Sequence, residues 1–175
     1  MIAIGSRTRA FPELSYANEQ QHPLARWVIH AVEGFSGRDR LAGAYDYWRS
    51  CVVPTGERVF GSILDLIGLR VDVSGHWPPL LPQGPVVIVA NHPFGIGDGI
   101  SVLSLAEQLG RPFRVLVAAD LLKVPEMQAY ALPVDFSETR EAIERNISMR
   151  HEAVRLLKDG VVIVVFPAGG VATAR

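Results

Sequence analysis

Apolar residues recur every three or four positions through the first third of the chain. Over residues 23–33, Leu24, Trp27, Val28 and Ala31 share one face and Gly34 follows, which predicts a helix. A second helix is predicted over residues 38–52, ended by Pro54. A third is predicted over residues 55–68, with Val59, Ile63, Leu66 and Ile67 on its apolar face. Stripes of this width suit surfaces that face a core, with a membrane-facing role for one of them as the alternative.

The period changes at Leu69. Residues 69–73 alternate apolar and polar, which predicts a half-buried strand, and a loop punctuated by Pro78, Pro79, Pro82, Gly84 and Pro85 follows. Residues 86–90 (Val-Val-Ile-Val-Ala) form a continuous β-branched run, the pattern of a strand covered on both faces. A helix is predicted over residues 98–109, stopped by Gly110 and Pro112, and a short strand over residues 113–118. Residues 137–159 predict a long helix starting at Ser137. Glu138 and Glu141 suit its positive end, Lys158 its negative end and Gly160 its exit. Residues 161–166 are a second continuous β-branched run. Strands alternating with helices imply an α/β fold with a mostly parallel central sheet flanked by helices. The expected organisation is an N-terminal helical segment over residues 1–68, packing on an α/β domain over residues 69–175. In such sheets ligands bind beyond the carboxyl ends of the strands.

Composition adjusts this picture only slightly. The chain has 175 residues, 49% of them hydrophobic and 20% charged, so one packed domain is expected rather than disorder. A formal charge of -1 gives no basic face of the kind that nucleic acid needs. Arg7 and Arg9 near the start, with no acid beside them, suit a solvated end or a contact with anionic lipid. One cysteine, Cys51, excludes an internal disulfide and suits a reducing compartment; no glycine-rich turn or histidine beside it marks a nucleophile. No signal-peptide pattern is present, and no apolar run reaches the ~18 residues that span a bilayer, so a membrane is expected to be met only at its surface.

Chemistry concentrates where the first continuous run ends. Asn91, His92, Pro93, Phe94, Gly95, Gly97, Asp98 and Gly99 occupy the loop and the expected helix start. Glycines there permit positive φ and close approach of backbone amides to a ligand. A neutral imidazole within reach of a hydroxyl takes its proton as a new bond forms, worth roughly 10²–10⁴ in rate. A carboxylate on the other ring nitrogen fixes the tautomer and stabilises the imidazolium. The structural alternatives are an Asp98 that caps the helix and a His92 bonded to a nearby carbonyl. A dinucleotide fingerprint fails because Ile100 stands where its third glycine belongs, and a phosphate-binding P-loop lacks its Gly-Lys-Ser/Thr end. His76 and Asp120 lack metal-ligand spacing, and no metal is expected.

The second continuous run ends in Phe166, Pro167, Ala168, Gly169 and Gly170, again presenting amides at a strand end. In order, the two loops resemble the glycerolipid and lysophospholipid acyltransferase family, whose His–Asp motif precedes a Phe-Pro-Glu-Gly-type motif. Residues 91–95 with Asp98 and Gly99 look most like a bacterial branch that includes hemolysin-like and ornithine-lipid acyltransferases. Residues 121–126 and 132–135 are similar to that branch's connecting segments.

The resemblance, from Leu69 to the end, implies a reaction. A lipid hydroxyl attacks an acyl thioester, acyl-CoA or acyl carrier protein, with His92 as base and Asp98 as its partner. No cofactor or covalent enzyme intermediate is implied. The implied partners are a lysolipid acceptor, the acyl donor and the cytoplasmic face of the cell membrane. The remaining loop residues would bind substrate. This chain departs from the family pattern in places. Five residues separate His92 from Asp98 where four are commonest, Ala168 replaces the glutamate, and no arginine directly follows Gly170. An acceptor less dependent on phosphate, such as a lyso-ornithine lipid, fits those departures. Family members continue with further strands and helices beyond the second loop. The other readings are a non-catalytic lipid- or acyl-carrier-binding domain, and a lipid thioesterase or hydrolase that uses the same pair.

Overall fold

A computed structural model describes residues 38–77, 83–92 and 95–167. The helix predicted over residues 23–33, Arg7 and Arg9, and the site residues Pro93, Phe94, Ala168, Gly169 and Gly170 lie outside the described residues. Four strands form one sheet: β1 (Val87–Val89), β2 (Phe113–Ala118), β3 (Ala131–Val134) and β4 (Val162–Val165). Their order is β1-β4-β2-β3 and every neighbouring pair is parallel. The four long helices among the described residues are α1 (Arg38–Tyr47), α2 (Val59–Ile67), α3 (Ile96–Glu107) and α4 (Arg140–Lys158). The expected α/β class and parallel sheet are therefore observed.

Alternation along the strands sorts the core into two layers. Phe113, Val115, Val162 and Val164 face one way and pack with Tyr45, Trp48, Val59, Phe60, Ile63, Leu103 and Ala106. Leu132 and Ile163 face the other way and pack with Ala153 of α4. Directional bonds fix the first layer: the Trp48 indole donates to the Val59 carbonyl at 2.6 Å, and Glu107 of α3 accepts from the Phe60 and Gly61 amides that open α2. Those amides have no intrahelical partner, so a carboxylate from the neighbouring helix satisfies them. On α1's side, Glu126 accepts from Tyr45 at 2.9 Å and pairs with Arg49 at 2.8 Å.

Several expectations change in detail. The segment 69–73 forms no strand, and Val73 is exposed; alternation marks two faces, but a strand also needs a neighbour to bond. Helix α2 begins at Val59, because Gly56 and Arg58 hold positive φ (69° and 45°) and break the helix before it. The second predicted helix ends as a π-helical turn (Trp48–Val52) and a 3-10 turn (Val53–Thr55). Helix α4 starts at Arg140, not Ser137. Thr139 is its cap, its hydroxyl accepting from the Ala142 amide at 3.2 Å, while the Ser137 amide and hydroxyl donate to Asp135. Strand β3 was not predicted, since Pro133 lies within it. It is tolerated because β3 is an edge strand of the described sheet, paired only with β2. Finally, β1 is not covered on both faces: Val87 and Val89 are 47% and 65% exposed.

Candidate active site

Strands β1 and β4 are parallel neighbours, in register as Val87↔Ile163, Ile88↔Val164 and Val89↔Val165. One bond beyond the ladder, from the Ala90 amide to the Val165 carbonyl at 3.1 Å, carries the pairing to the carboxyl edge. The two predicted loops therefore leave the sheet side by side. They touch through side chains: the His92 ring lies 4.6 Å from the Phe166 ring, tilted by 45°. This contact joins the first motif to the second, and it follows from the register alone, because both rings stand beyond the last paired residues of adjacent strands.

The His92 loop turns directly into α3. The Gly95 amide donates to the His92 carbonyl at 3.0 Å, and Gly95 takes φ 71°, ψ −121° as the residue before the helix. That conformation is open to glycine and strained for other residues. Gly97 and Gly99 behave differently from expectation, for neither has positive φ; both lie inside the first turns of α3. A β-carbon at Gly97 would meet only a Leu69 methyl at 3.5 Å, and one at Gly99 nothing within 4 Å. Two helical glycines cost stability relative to alanine, about 1 kcal/mol each. Neither is required by the packing around it.

Helix α3 starts two residues earlier than expected, at Ile96, and Gly95 occupies the capping position. Asp98 is thus not the cap. It sits in the first turn, half-buried, where a negative charge meets the positive helix end. The Ile96 and Gly97 amides, in the same turn, have no intrahelical carbonyl to bond.

His92 is half-buried and its Nδ1 is fully buried. Among the described residues Nδ1 has no hydrogen-bond partner, and no hydrogen bond joins it to Asp98. No carbonyl among the described residues accepts from Nδ1. An unsatisfied buried polar atom costs on the order of 1–3 kcal/mol and is uncommon; the Trp77 indole nitrogen is another among the described residues. Of the remaining expected site residues, Asn91 and Pro167 are exposed and Phe166 is half-buried. Among the described residues no group of three or more His, Cys, Asp or Glu converges as a metal site would require.

The sequence reading missed the polar ties that hold this edge in place. Asp135, beyond β3, accepts from Ser137 and pairs with Arg145, while its backbone bonds both ways with Asn146 of α4. The Ser137 bonds, with the Arg145 guanidinium beyond them, hold the Asp135 carboxyl down at about 2. The only sequence signal was the Asp-x-Ser turn itself.

Neither curated proteins nor solved structures gave a match. Residues 70–175 match the family model described as Acyltransferase, a span that contains both loops and all four strands. The chain therefore belongs to the acyltransferase family, that of the glycerolipid acyltransferases.

Proposed function

We propose that the protein transfers a fatty acyl group from acyl-CoA or acyl carrier protein to the hydroxyl of a lysolipid at the cytoplasmic face of the cell membrane, with His92 as general base and Asp98 as its orienting partner. The observation that carries this reading is the His92–Phe166 contact, which unites two motifs seventy-four positions apart at one strand edge. The buried Nδ1 is the ring nitrogen that a carboxylate would hold, leaving Nε2 for the acceptor. Its hydrogen bond to Asp98 forms when substrate is bound, since catalytic hydrogen bonds are often long before that and tighten in the complex.

The chemistry is an addition and an elimination. The acceptor hydroxyl attacks the thioester carbonyl as His92 takes its proton. The oxyanion sits near the Ile96 and Gly97 amides at the α3 start, where backbone dipoles favour negative charge. Collapse breaks the carbon–sulfur bond, and the imidazolium returns the proton to the departing thiolate. The products are an ester and a free thiol, with no net change at His92. Residues 91, 93–95, 97, 99 and 166–170 bind the two substrates. Alanine at 168 and the lack of an arginine directly after Gly170 favour an acceptor such as a lyso-ornithine lipid over lysophosphatidate.

The test is thiol release from acyl-CoA and acyl carrier protein with a panel of lysolipids, followed by product identification. The expected result is acylated lipid in step with thiol, and loss of both in a folded His92→Ala variant. Thiol with free fatty acid identifies a hydrolase. Lysolipid affinity without turnover identifies a binding domain. Full activity in His92→Ala overturns the proposal.

A further inference from the structure

Helix α4 carries an outward surface that its packing does not explain. Its inner face meets β3 and β4 through Ala153 and its neighbours. On the outside, Ile143, Ile147 and Val154 are 57%, 45% and 51% exposed. They are spaced four and seven apart, so they share one helical face. Arg140, Arg150 and Lys158 fall on the same face by that spacing and are exposed. Of the acids of the helix, Glu141 and Glu152 project to another side, where Arg155 pairs with Glu152 and Asp159. Glu144 borders the strip, three residues from Ile147, and is paired with Arg140 at 3.1 Å; Arg145 turns to Asp135. Arg150 and Lys158 make no ion pair among the described residues.

We infer that this face of α4 docks the protein on an anionic lipid surface. The strip combines branched aliphatic side chains with cations; the one acid at its edge, Glu144, is matched by Arg140, which leaves Arg150 and Lys158 as a net positive charge, the pattern of a helix lying in a headgroup layer. A protein partner fits it less well, since interface centres are enriched in aromatic residues and depleted in lysine, and this strip holds no aromatic residue. Its position suits the chemistry too. The strands are parallel and α4 follows β3, so the first turn of α4 lies at the carboxyl edge of the sheet, the edge that bears His92. Val89 is exposed on the same sheet face as α4, three residues before His92. A bilayer along the strip would therefore present lipids beside the catalytic edge. Among the described residues no helix is long and apolar enough to cross a membrane. The inference rests on the proposed lipid acceptor for its purpose, though its test does not.

The experiment is flotation of the full chain with vesicles of phosphatidylcholine alone or mixed with phosphatidylglycerol, at low and high salt. The variants are Ile147→Asp and the double charge reversal Arg150→Glu, Lys158→Glu, with folding checked by circular dichroism. The expected result is binding to the anionic vesicles only, weakened by salt and by more than about tenfold in each variant. Absence of vesicle binding, or binding unchanged in both folded variants, overturns the inference. So does a dimer in size-exclusion chromatography that Ile147→Asp dissociates, which would assign the strip to a second copy. Turnover of a monomeric short-chain lysolipid separates the two proposals. Turnover without vesicle binding sinks the docking face alone, and strip-dependent binding without turnover sinks the acyl-transfer reading alone.

Discussion

Strands β1 and β4 have nearly the same sequence character and very different surroundings. Both are continuous β-branched runs, both are parallel, and both end in a loop of the site. Yet Val162, Ile163 and Val164 are buried, while Val87 and Val89 are largely exposed. The difference is position. Strand β4 lies between β1 and β2 with helices over both faces, whereas β1 lies at the edge of the described sheet and α4 packs over β3, β2 and β4. Strand β4 is thus the rigid member and fixes the Phe166 end. Strand β1 borrows order from it through the ladder and the Ala90–Val165 bond, and carries the histidine. If His92 is the general base proposed above, its place on an edge strand leaves one side open for substrate while the partner strand sets its position.

Substitutions can break this contrast directly. Ile163→Ala should lower stability by about 3 kcal/mol in chemical denaturation, the cost of a cavity in a closed layer. Val89→Ala, the next face-mate but exposed, should stay within about 0.5 kcal/mol. Similar losses at both positions would mean that β1 is covered as β4 is. Next in size is Gly95→Ala, expected to cost about 1–3 kcal/mol, because its φ of 71° with ψ of −121° is closed to a β-carbon. Gly99→Ala runs the other way. It should keep stability or raise it by up to about 1 kcal/mol, since nothing lies within 4 Å, while lowering acyl transfer by filling the approach to the α3 amides. Unchanged turnover in that variant would remove Gly99 from the substrate surface.

The smallest effect concerns the β3 exit. Asp135 is held at about 2, below its ordinary value of 3.8, mainly by Ser137. Its contribution to folding is present above the ordinary value and is lost as pH falls from about 4 toward 2. Asp135→Asn should flatten that part of a thermal-stability profile against pH. An unaltered acid limb would show that the Ser137 and Arg145 contacts do not persist in solution.

Periodicity made much of the fold legible. The two β-branched runs form strands and the 113–118 strand and most of the long α4 pattern appear where the sequence places them, but only the second run is buried. The losses have physical causes. Alternation at 69–73 specifies faces without supplying a partner, and Pro133 hides an edge strand whose unused side tolerates it. The exposure of β1 depends on which strand inserts beside it, a long-range fact that no local window contains. Of the site, the place of both loops at the carboxyl edge was readable from strand-end positions; that they are neighbours, as the His92–Phe166 contact shows, depends on the pairing of β1 with β4. The state of the histidine was not readable. Its Nδ1 is buried without a partner among the described residues, where the residue types and the family resemblance imply a carboxylate partner.

The direct test of the proposed dyad is a double-mutant cycle in acyl-transfer rate over wild type, His92→Ala, Asp98→Ala and the double variant. If His92 and Asp98 act as one unit, His92→Ala lowers the rate by roughly 10²–10⁴, and adding Asp98→Ala to it costs little more. If the two losses multiply, or Asp98→Ala alone leaves the rate intact, Asp98 does not orient the base and the proposed pairing is wrong.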